Sequence, residues 1–62
     1  MEVTIVAKTD GDYELMYGNI TPTWKDILVY SHTTIPESVM DQIENLSWDY
    51  KSKLNWILSK YI

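Results

Sequence analysis

His32 is the only histidine in the chain, and Ser31 precedes it. A serine nucleophile needs its base within hydrogen-bond reach. Neighbours on a strand point to opposite faces, so this pair is not arranged for acyl transfer. A metal at His32 would need further His or Cys ligands. The chain has no cysteine and no second histidine. His32 is therefore expected beside a loop, near water, with neither a catalytic nor a metal role.

Asp10, Asp12 and Glu14 cluster where a turn is signalled, and three carboxylates could hold a hard cation. The spacing lacks the later glutamate that completes a calcium loop, so a solvated turn is expected. Glu37, Asp41 and Glu44 form a second acidic stripe. General acid–base work needs a carboxylate pair in a cleft, with environments that push their pKa values apart. A stripe on an open helix face serves solubility and the helix dipole instead. No catalytic residue, cofactor or metal is expected from any of these groups, and the chain reads as a non-enzyme.

The remaining chemistry is that of recognition. Lys51, Lys53 and Lys60 lie near Trp48, Trp56 and Tyr61, the mixture of cations and rings used to bind single-stranded nucleic acid. Three lysines without an arginine are thin for that purpose, and nucleic acid is the alternative reading. Trp48 and Trp56 are the stronger signal. Placed on a helix they fall on its polar face, and tryptophan is enriched among the residues that dominate protein interfaces. The expected partner-binding set is Trp48 and Trp56 flanked by Glu44, Asp49 and Lys51, with Trp24 as a further candidate. Trp24 also suits a lid on the edge of the core.

The element that positions most of these residues is the segment 36–62. Val39, Met40, Ile43, Leu46, Tyr50, Leu54, Ile57, Leu58 and Tyr61 recur at the i, i+3, i+4, i+7 spacing of an amphipathic helix. Pro36 suits the first turn, acids fill the front half and lysines the back half. The phase holds throughout, which predicts one long C-terminal helix. The weak point is 45–47, where Ser47 could cap a second helix and turn Trp48 inward. A 26-residue helix would be about 39 Å long, more than a small sheet can cover.

Upstream, residues 3–8 alternate and are β-branched, and 13–17 read as the returning strand. A two-residue turn at Asp10 and Gly11 would scatter apolar groups over both faces. A three-residue loop with Gly11 left-handed pairs Ala7 with Tyr13, Ile5 with Leu15 and Val3 with Tyr17. One face then becomes apolar, and Lys8 comes opposite Asp12. Residues 18–23 are a loop by composition. Residues 24–32 are ambiguous. Thr23 and Asp26 resemble a capping box, but the run Ile27, Leu28, Val29, Tyr30 favours a third strand at 26–32. Residues 33–35 would connect it to the helix.

The expected architecture is α+β, a β-β-β-α chain with a three-stranded antiparallel sheet under the helix. The predicted core is Val3, Ile5, Ala7, Leu15, Tyr17, Val39, Ile43, Leu46, Leu54 and Ile57, with residues from the third strand.

Composition bounds the rest. Sixty-two residues make one small domain, 1–62, with a marginal core. Nine acids against five lysines give a formal net charge of −4, which disfavours direct phosphate binding. No stretch approaches membrane-spanning length and no signal peptide is evident, so a cytoplasmic protein is expected. The functional expectation is a small protein-binding module that docks on another protein and inhibits it. Accessory proteins of phage and mobile elements have this size and composition. Self-association into a homodimer through an overlong helix is part of the same expectation.

Overall fold

A computed structural model describes residues 1–46 and 51–62. Its elements are β1 (Glu2–Lys8), β2 (Tyr13–Tyr17), β3 (Ile27–Thr34), α1 (Glu37–Glu44) and α2 (Lys51–Leu58). The three strands form one antiparallel sheet in the order β2-β1-β3. The class is α+β, as the sequence predicts.

The hairpin register is the one that alternation demands. Val3 faces Tyr17, Ile5 faces Leu15 and Ala7 faces Tyr13. Gly11 has φ +93, a conformation that costs a side-chain-bearing residue dearly and glycine little. The expected Lys8–Asp12 charge pair does not form. Lys8 Nζ instead lies 3.7 Å from Asp26 of the neighbouring strand's entry. Asp12 is drawn into the turn, its N–H donating to Asp10 Oδ1 at 2.9 Å.

The third strand is real and longer than expected. It runs from Ile27 to Thr34, and no helix starts at Thr23. Residues 33–34 are strand rather than connection. The pairing continues to Ile35, whose N–H donates to Met1 O, while the Met1 amine donates back to Ile35 O. Ile35 is fully buried. Between Ala7 and Lys8 the register shifts, leaving Leu28 as an extra residue on β3.

The long helix is not observed. Two helices of eight residues each stand in its place. α1 ends because Asn45 turns its side chain back, donating from Nδ2 to Asp41 O at 2.8 Å. Its own N–H shares that carbonyl, and Leu46 N–H closes a tighter bond to Ile43 O. Asparagine competes with the helix for backbone partners in this way. Size points in the same direction, since the longest dimension of the molecule is 29 Å. A straight rod would overhang, whereas two short helices put Met40, Leu54 and Leu58 over the same strands. Pro36 stands just before α1 and its carbonyl receives the N–H groups of Val39 and Met40.

The core is Val3, Ile5, Ile35, Met40, Leu54 and Leu58, edged by Tyr13, Leu15, Val39, Ile43, Leu46 and Tyr61. Three expected members lie outside this cluster: Tyr17 is 55% exposed, Ile57 is half-buried, and Ala7 is buried elsewhere. The residues expected from the third strand are missing too, since none in β3 is buried. The helices cover the middle of the sheet and not the far end of β2.

The opposite face of β1 is also buried, which alternation alone does not suggest. Thr4 and Val6 have no accessible surface. The chain after β2 doubles back over this side. Thr4 Oγ1 donates to Gly18 O at 2.8 Å, receives the Ile20 N–H at 3.0 Å and lies 2.9 Å from His32 Nδ1. Tyr30, across from Val6, meets the His32 ring edge-on at 5.7 Å.

Candidate protein-docking groove

α2 presents two faces for a simple geometric reason. Leu54 and Leu58 are one turn apart and both enter the core. Trp56 is two residues from each, about 200° around the axis, and so points away. It is 64% exposed. Lys53 and Ile57 flank the buried line and face α1. Gln42 lies on α1, and Leu46 lies just past its C-cap, Asn45.

These side chains enclose an open groove of about 540 Å³, lined by Gln42, Leu46, Lys53, Trp56 and Ile57. Its floor is apolar. Its rim is cationic on the α2 side, because Lys60 Nζ sits 3.6 Å from the centroid of the Trp56 ring. That is an i, i+4 pair, and an ammonium over an indole face is attracted by the ring quadrupole. With the lysine over it, the ring is still 64% exposed. Among the described residues no three His, Cys, Asp or Glu side chains come together as a metal site.

No family model matches this chain, and no curated protein or solved structure matches it at a significant level. The site is therefore argued from its own residues.

Of the expected partner-binding residues, Trp56 is in the groove. Trp48 and Asp49 lie outside the described residues. Glu44 is exposed on α1, about 200° from Gln42, and so faces away from the groove. Lys51 reaches β2 instead, with Nζ 3.4 Å from Glu14 Oε1. Trp24 is partly exposed and lies near Lys8, whose Nζ is 5.7 Å from its ring. It serves the region where β1 ends, not the helices. The structure thus keeps Trp24 apart from Trp56, and uses Lys51 to fasten α2 to the sheet.

Three groove residues escaped the sequence reading. Leu46 and Ile57 fit the apolar helical phase and were expected wholly inside. Both are half-buried instead. Gln42 carries no signal at all in sequence. Asn55 is a fourth omission, outside the groove. Its Oδ1 accepts the Tyr13 N–H at 3.0 Å and its Nδ2 donates to Asp12 Oδ1 at 3.3 Å. The acidic turn is therefore partly structural: Asp12 and Glu14 both bind α2.

Proposed function

We propose that this chain is a non-enzymatic protein-binding module whose α1–α2 groove receives an apolar side chain from a partner protein. The observation that carries this reading is Trp56, an indole nearly two-thirds exposed beside an apolar groove. Exposed tryptophan costs solubility and is over-represented where binding energy is concentrated. The cationic rim of Lys53 and Lys60 favours a partner segment with carboxylates next to its apolar anchor. Occupying a target's surface in this way would suit a small inhibitor, and the chain's size leaves little room for an enclosed active site. Single-stranded nucleic acid is less well served. Lys60 already covers one face of Trp56, and Lys51 is engaged by Glu14.

The test is selection of displayed peptides on the wild-type chain, followed by comparison with Trp56→Ala. Recovered peptides should pair a large apolar residue with Asp or Glu. They should lose about 2 kcal/mol or more of affinity, thirtyfold, on the variant. The variant should keep its fold, with a stability change of about 1 kcal/mol or less, since the ring is exposed. Equal binding by both chains would remove the groove from the mechanism.

A further inference from the structure

The two outer strands of the sheet differ: α2 packs on β2 and takes the outward Tyr13 N–H, whereas β3 has the longer bare edge. Met1 and Ile35 exchange both backbone hydrogen bonds. In an antiparallel ladder such pairs alternate with pairs that turn their N–H and C=O groups outward. Thr33 and Ser31 therefore face β1, whereas Thr34, His32 and Tyr30 present theirs away from the sheet. No backbone partner is found for these groups among the described residues. β3 is eight residues long and contains no proline, no lysine and no carboxylate. Leu28 is 70% exposed, with Val29 and Tyr30 exposed beside it. α2 packs on β2 and leaves this side uncovered. These are the attributes of a strand edge that recruits another strand.

We propose that β3 pairs antiparallel with β3 of a second copy, joining two sheets into one of six strands. This does not depend on the groove. A two-fold axis beside Ser31 sets Tyr30 against the partner's His32, so outward-facing backbone groups meet outward-facing ones. The seam itself is free of charge, so the net acidity of the chain is not concentrated there. Its ends are complementary. Lys25 precedes the strand and Glu37 follows it, both exposed. Antiparallel pairing brings Lys25 of each copy near the partner's Glu37, while Asp26 is held by its own Lys8. An edge of this length falls at the small end of specific interfaces, below about 1,200 Å², so the dimer is weak and reversible.

Sedimentation and amide exchange, from micromolar concentration to about 1 mM, test the proposal. The mass should rise toward two copies. The Tyr30, His32 and Thr34 amides should gain protection as it rises, while Ser31 and Thr33 are protected throughout. Tyr30→Lys, at an exposed position, should abolish association. Lys25→Glu should weaken it about threefold or more, and adding Glu37→Lys should restore it. A mass that stays at one copy overturns the proposal. So does a dimer in which the three outward amides still exchange freely, because association would then run through another surface.

Discussion

The outer strands β2 and β3 belong to one sheet and flank the same central strand, yet α2 packs on β2 and fastens to its first residues, while β3 keeps the longer bare edge. β2 is short, and α2 lies along it. Asn55 takes the outward N–H of Tyr13, and Lys51 pairs with Glu14. β3 is longer, uncharged and carries exposed Leu28, Val29 and Tyr30. The difference shows how a small domain allots its helices. Two short helices can shelter about two strands, so the third strand keeps its inner edge bonded and its outer edge bare. On the sheltered edge one side-chain amide of α2 takes the place of a strand at one point, accepting the Tyr13 N–H, because a half-buried backbone donor needs only one acceptor.

The harshest way to break this contrast is to detach α2. Leu58 is fully buried. Leu58→Ala should cost about 2–5 kcal/mol, a large part of the stability of so small a domain. Urea denaturation would read the loss, and β2 amides should become exchangeable together with it. A milder break leaves α2 in place and removes its clasp. Asn55→Ala strands the Tyr13 N–H, which should cost about 1–3 kcal/mol and speed exchange at that amide ahead of its neighbours. The smallest effect belongs to the ion pair. Both partners of Lys51–Glu14 are part-exposed at 3.4 Å, so Lys51→Met should change stability by less than about 1 kcal/mol. If Lys51→Met proved as damaging as Asn55→Ala, charge and not backbone satisfaction would be what closes β2.

These effects also mark what the sequence could and could not disclose. The hairpin register was legible because a single glycine and a strict alternation admit one arrangement with an apolar face. The third strand was legible from its β-branched and aromatic run, although its end was not. Residues 33–35 carry no periodicity, and it is the reciprocal bonding with Met1 that extends the pairing. The helix break was visible as a weak point at 45–47, but one long rod was favoured over it because apolar phase continues through those residues. A hydrophobic pattern records which side faces the core, not whether the rod is continuous. The side-chain amide of Asn45 decided that locally. Burial of Thr4 depended on the loop after β2 folding back, a long-range event. The groove inherits the same difficulty. Trp56 was recognisable from its position on a polar helix face, whereas Gln42, Leu46 and Ile57 line the groove with it because α1 and α2 are separate helices.

The hydroxyl of Thr4 has a consequence for the imidazole beside it. It has a single proton, and Gly18 O, 2.8 Å away, can only accept it. The oxygen's lone pairs then face Ile20 N–H and His32 Nδ1. For the third contact to be attractive, His32 must keep hydrogen on Nδ1 even when uncharged. The neutral ring is thereby held as the tautomer less populated in free histidine, and Nε2 is the nitrogen left with an unshared pair.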